Sequence, residues 1–234
     1  MALHHNPRIV TDGLEFIVDA ADRNSYQSGS ATWYDLSGNG YTGTLTNGPT
    51  FEYTNRGTIV FDGVDDRAIF SPYEYYNLTE HTALVVFRTP TINQGWGEIL
   101  QKGQRRDFRI RTSAFGGKDI DMAYETSAGT FEYDFNPAQD NTWYVAHMTI
   151  NTNAGGSARF FINDEKKAEL PITSSITLSE TTDPLYDGEL EIGSMSRSTE
   201  YFEGEVAYAL MYNKSLTDQE MLQNYNAIKT RFGL

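Results

Sequence analysis

The chain has 234 residues, with 32 acidic against 18 basic side chains and a formal charge of −14. A balance that negative disfavours a phosphate-backbone partner, whose affinity comes from Lys and Arg displacing counterions, so no nucleic acid is expected. The absence of cysteine excludes disulfides, thiolate metal sites and cysteine nucleophiles, and the longest apolar run, Val206–Tyr212, is far below the roughly 18 residues that a membrane span needs.

In chain order, the N-terminal MALHHNPRIVTDG has neither a basic region nor an apolar one of signal-peptide type, so a chain made in the cytoplasm is expected. Leu14–Ala20 is the first run with strand character. Next come two acidic turns. In the first, Asp35, Ser37 and Asn39 alternate ahead of Gly40, spaced like the front half of a calcium loop. The twelfth position is Thr46 rather than Glu, so this is no EF-hand, and a hydrogen-bonded Asx turn is the simpler reading. In the second, Asp62, Asp65 and Asp66 follow the run Thr58–Phe61. Adjacent carboxylates repel unless a cation relieves them, which makes calcium ligation the functional alternative to a solvated turn.

Aromatic residues gather next, Tyr73, Tyr75 and Tyr76 in SPYEYYN and Trp96 between glycines in NQGWGE. Exposed rings beside carboxylates and amides suit a sugar platform or a protein anchor; packing at strand edges is the simpler reading. Further strand runs are Thr82–Arg88, Glu98–Lys102, Asp107–Thr112, Asp119–Tyr124, Thr130–Phe135, Trp143–Asn151, Ala158–Asn163, Leu190–Ser194 and Glu205–Tyr212, punctuated by Gly-rich turns. Ala83–Phe87 and Val206–Tyr212 are apolar on both faces, as in central strands covered on both sides. The basic residues between Lys102 and Arg111 alternate with other residues and read as a solvated strand face. Asp119, Asp121 and Glu125 share a face by strand alternation. His4, His5, His81 and His147 show no metal spacing, and His147 reads as a half-buried strand residue. Thr217-Asp218-Gln219-Glu220 is a capping box, and Met221, Leu222, Tyr225, Ile228 and Phe232 follow at helical spacing before Gly233, which predicts one helix over about 217–231.

The order of DGLEFIVDAADRNSY, TWYDLSGNGYTGTLTNGPT, IVFDGVDD, EILQKG, WYVAHMTIN, LEIGSM and YFEGEVAYALMYNKSLTDQEMLQNY resembles concanavalin A-like jelly rolls of the laminin-G-like type. The resemblance covers most of the chain. It implies an all-β fold, a two-sheet antiparallel jelly-roll sandwich of six or seven strands per sheet with one short C-terminal helix, in a single domain over 1–234. It also implies calcium at the sandwich edge as the one cofactor to expect. Retaining glycanases of this superfold carry Glu-x-Asp-x-(x)-Glu on one concave strand. Here the first acid is Asp and the last falls a position late, so a solvent-facing acidic strand is expected instead of an active site, and the chain reads as non-enzymatic. The opening PRIVTDGLEF with DLSGNG and FDGVDD looks most like single-domain structural proteins of tailed phages. That likeness implies a virion-surface protein (a head decoration or tail accessory) with capsid or tail proteins as partners and host-surface glycans as targets. A free lectin or a glycan hydrolase of the same superfold is the alternative.

Overall fold

The computed structural model describes residues 7–54, 56–70, 79–92, 95–103, 107–113, 118–178, 189–195 and 199–234. Its strands form two antiparallel sheets. The first runs β14 (Glu165–Pro171), β13 (Ser157–Ile162), β12 (Tyr144–Asn151), β7 (Glu80–Arg88), β16 (Glu203–Tyr212), β5 (Thr58–Asp62) and β4 (Thr50–Glu52), with β1 (Leu14–Asp19) also paired to β16. The second runs β11 (Gly129–Phe135), β10 (Asp119–Thr126), β9 (Phe108–Ser113), β8 (Gly97–Lys102), β15 (Leu190–Ile192), β6 (Arg67–Phe70), β3 (Thr42–Thr46) and β2 (Thr32–Tyr34). Each sheet therefore holds eight strands, more than the six or seven expected. The additional ones include the three-residue β2 and β4, too short to show a period, and β14, whose EKKAELP alternates charges with little apolar content.

The core lies between the sheets. Phe16, Val85 and Phe87 of the first meet Phe70, Leu100, Ile110 and Met122 of the second, all fully buried. The Phe16 ring meets Phe70 edge to face at 4.8 Å. Gly43 is required at this point, because a Cβ there would stand 2.4 Å from the Phe70 ring. The alternate residues of the same central strands, including Leu84, Val86, Val145 and Leu210, face the other way and are also buried. They are covered by helix α1 (Asp218–Phe232), which explains why those runs are apolar on both faces.

The helix starts and stops as the sequence predicts. Thr217 Oγ1 accepts from the Glu220 amide at 3.2 Å, and Glu220 Oε2 accepts from the Thr217 amide at 2.8 Å. Gly233 closes it with φ 73°. Its buried face is Met221, Asn224, Tyr225, Ile228 and Phe232, whereas Leu222 points outward. Asn224 replaces Leu222 because polar groups await it: its Oδ1 accepts from the Val10 amide (2.8 Å) and its Nδ2 donates to the Tyr212 hydroxyl (3.0 Å).

Candidate functional site

The acidic strand and the basic residues between Lys102 and Arg111 are expected to be solvated, and most of their charged side chains are instead buried. Strand alternation aims Glu98 and Gln101 of β8, Arg109 and Arg111 of β9, Asp119 and Asp121 of β10 and Glu191 of β15 away from the core, yet all are buried. Burial of so many charged groups is tolerated only where opposite charges meet. The register provides that, with Arg111 directly opposite Asp121 on one side and Glu98 on the other. Arg111 donates to Asp121 Oδ2 from Nε (2.7 Å) and Nη2 (2.5 Å), and its Nη1 lies 3.6 Å from Glu98. Arg109 reaches Asp121 at 3.4 Å, Glu125 at 2.7 Å and Glu132 of β11 at 3.1 Å. The acidic strand and the basic strand are thus one ionic network, buried at Glu98, Arg109, Arg111 and Asp121 and reaching solvent at Glu132. Its signal was legible in the sequence, since Arg-Ile-Arg and Asp-Ile-Asp alternate in step on consecutive strands.

Electrostatics follow the packing. Burial alone would lower Arg109, but Asp121, Glu125 and Glu98 more than offset it and hold the guanidinium above its ordinary value. Burial pushes the Asp119 carboxyl up, with Asp121 adding to the rise and a hydrogen bond from Asn136 opposing it. Asp134 is likewise raised by burial and by Asp121, Glu132 and Asp119. A nucleophile or general acid needs an accessible carboxylate within reach of the scissile bond. Asp121 is instead buried, with one oxygen shared by two arginines.

The candidate aromatic residues divide. Tyr73, Tyr75 and Tyr76 lie outside the described residues. Trp96 is half-buried, and the Arg111 guanidinium sits 3.7 Å from its ring centroid, so one ring face is already occupied by a cation. His147 is buried rather than half-buried; its Nε2 donates to the Asn163 carbonyl at 2.8 Å, and burial pushes it down to about 4.

The two acidic turns differ in what their oxygens do. Asp35 Oδ1 accepts from the Ile17 amide (2.9 Å) and the Ser37 amide (3.0 Å), and Ser37 Oγ donates to the Glu15 carbonyl (2.9 Å). Asn39 Nδ2 donates to the same carbonyl at 2.8 Å. This is an Asx turn that fastens the loop to β1. Asp62, Asp65 and Asp66 bring carboxylate oxygens within 4.8 Å of one another, in the β5–β6 turn. Asp66 is buried, which corrects the expectation of a fully solvated turn, while Asp62 and Asp65 are exposed. Burial raises Asp66, and the Asp62 and Asp65 charges add to the rise. At Asp62 burial is outweighed by the amides of Val64, Asp65 and Asp66, leaving that carboxyl lowered. An all-oxygen donor set of this kind fits calcium.

A further feature escaped the sequence because its residues come from two segments far apart in the chain, the one after β1 and the one at β4. Tyr26 packs against Phe51 at 5.3 Å between centroids, and Phe51 against Tyr53 at 4.9 Å. These rings line open clefts between the segment after β1 and strand β4.

A two-sheet antiparallel jelly roll is the architecture of lectin-type sandwiches. The chain belongs to the concanavalin A-like lectin/glucanase superfamily, whose laminin-G-like family profile matches residues 61–221. No curated protein matches it. Among solved structures it is similar to the binding domain of botulinum neurotoxin DC in complex with SialylT, with a TM-score of 0.69 at 13% identity over 94% of this chain. The binding domain of Paraclostridial Mosquitocidal Protein 1 gives 0.69 at 15% identity over 93% of this chain. The botulinum neurotoxin serotype D domain in complex with N-acetylneuraminic acid gives 0.66 at 14% over 92%. The chain spans about half the length of each, 52%, 52% and 51%, and at these identities the likeness is one of fold.

Proposed function

We propose that this chain is a non-enzymatic, lectin-like module that recognises glycans. The observation that carries the reading is the state of Asp121. The one carboxylate run set like that of a glycanase is neutralised by Arg109 and Arg111, so the fold keeps its capacity for recognition without the acid pair that hydrolysis needs. Solved structures of similar fold support it, since they are binding domains, one in complex with SialylT and another with N-acetylneuraminic acid. A glycan array together with reducing-end assays on β-glucans, galactans and alginate tests it. Binding without turnover is expected, whereas turnover that disappears in Asp121→Asn overturns the reading in favour of a hydrolase.

The finer part of the proposal is display on the surface of a tailed-phage virion, docked on capsid or tail proteins after synthesis in the host cytoplasm. Its support is the likeness of the opening motifs to phage structural proteins, together with the −14 charge, which opposes aggregation of particles that display many copies. Mass spectrometry of purified particles should find the chain; its presence in the soluble lysate alone would leave a free lectin. Calcium at Asp62, Asp65 and Asp66 is proposed as the structural ion of the sandwich edge.

A further inference from the structure

We infer that the groove between the segment after β1 and strand β4 is the glycan-binding site, taking consecutive pyranose units by ring stacking; this rests on the recognition reading above. Two open clefts of about 390 Å³ each adjoin there and share Tyr26, Ser28 and Phe51. That volume falls within the roughly 300–1,000 Å³ of small-ligand sites, and two such clefts side by side suit an oligosaccharide better than a single unit.

The chemistry of the lining is that of sugar recognition. Tyr53 stands at 86° to Phe51 and is 68% exposed, so a large ring face is left in water beside a second, half-buried ring. A ring face left in water is open to an apolar ligand surface. The C–H face of a pyranose fits it, with hydroxyls directed to the rim. Arg23, Gln27 and Ser28 supply that rim. Their side chains hold no hydrogen bond or ion pair among the described residues, so their donors and acceptors face the cleft uncommitted. The Arg23 guanidinium offers a fork of donors that suits vicinal hydroxyls.

The walls are held in place before any ligand arrives. Arg231, in the last turn of α1, donates to the Arg56 carbonyl (3.0 Å) and the Gly57 carbonyl (2.8 Å) below β4, and pairs with Asp19 (2.6 Å) at the end of β1. One arginine therefore ties both sides of the groove to the helix. The Tyr26 hydroxyl donates to the Ser30 carbonyl at 3.2 Å and fixes the intervening loop. Preorganisation of this sort lowers the entropic cost of binding.

The test is isothermal titration of the full chain with cellohexaose, mannohexaose, xylohexaose, chitohexaose and α2,3-sialyllactose as probes. At least one should bind. Tyr53→Ala should then weaken that probe by roughly tenfold, the scale of one aromatic contact, and Arg23→Ala by a few-fold, both with unchanged melting temperature because the two side chains are exposed. Binding that survives intact in both variants overturns the groove and leaves the recognition reading standing. Failure of every probe to bind overturns the recognition reading and the groove with it.

Discussion

Replacing Asp121 with Asn distinguishes a structural carboxylate from a catalytic one by the sign of a stability change. The substitution preserves shape but removes the charge that holds two buried guanidiniums, Arg111 through two contacts of 2.7 and 2.5 Å and Arg109 through one of 3.4 Å. The side chains on both sides of these contacts are less than a tenth exposed, so water cannot take over. Removing one partner of a buried pair costs about 3–5 kcal/mol, and Glu98 and Glu125 recover a part by staying near the arginines. For a chain of this length each kcal/mol moves the midpoint by roughly 2–4 °C, so differential scanning calorimetry should show a fall of about 6–15 °C. Active-site carboxylates behave in the opposite sense, because relieving a strained site usually stabilises the fold. An Asp121→Asn variant that melts at or above the wild-type temperature would refute the structural assignment.

Three more outcomes follow. His147 and His81 are driven by burial to about 4 and about 3, while the unfolded chain protonates them near 6.5, so stability present at pH 7 is lost as pH falls through that window, about 2 kcal/mol per histidine at pH 5. His147→Gln, which can still donate to the Asn163 carbonyl, should shrink the loss between pH 7 and 5 in urea titrations by about 2 kcal/mol; an unchanged loss would count against the burial argument. Excess calcium at a hundredfold over Kd should raise the melting temperature by roughly 5–10 °C. Asp66 has a folded value raised above the unfolded one, so its charge costs stability above that range; Asp66→Asn should therefore raise the calcium-free midpoint at pH 7 and abolish the calcium increment, and a melt indifferent to chelator would sink the ion site. Thr217→Ala should cost about 1 kcal/mol in chemical denaturation through loss of the helix cap, with no effect on glycan binding.

Where a residue's role is set by its neighbours in sequence, the sequence was sufficient. The capping box at Thr217 and Glu220, the stop at Gly233 and the long strands with apolar faces are local patterns, and they reappear within a residue or two. Leu222 and Asn224 show the limit: helical periodicity ranks leucine inward, but the buried amide of Val10 and the hydroxyl of Tyr212 demand a polar partner that only the tertiary fold supplies. The acidic strand shows it again, because alternation correctly set Asp121 on the outer face while its exposure depended on Arg109, Arg111 and the register between β9 and β10. The groove was illegible for a different reason. Tyr26, Phe51 and Tyr53 lie on short segments with no period, and Tyr26 meets the other two through the succession of pairings β1–β16, β16–β5 and β5–β4.

The pairing of β16 has a consequence for how the chain reaches this state. This strand is flanked by β7 along one side and by β5 and then β1 along the other, so partners from positions 14–19, 58–62 and 80–88 all wait for residues 203–212. On the ribosome those three strands emerge early, and although β4 and β12 pair with one edge of β5 and of β7, the edge that each of the three offers to β16 stays open until nearly the whole chain has been made. By contrast β8 to β11 form a meander of sequential neighbours and need nothing later in the chain to pair with one another. High contact order around β16 and low contact order within β8–β11 predict an early half-structure built on β8–β11, followed by a slow closure in which β16 threads the centre of the first sheet. The interval between the two is when the chain is most exposed to aggregation, and holding the helix α1 back from β16 would lengthen it.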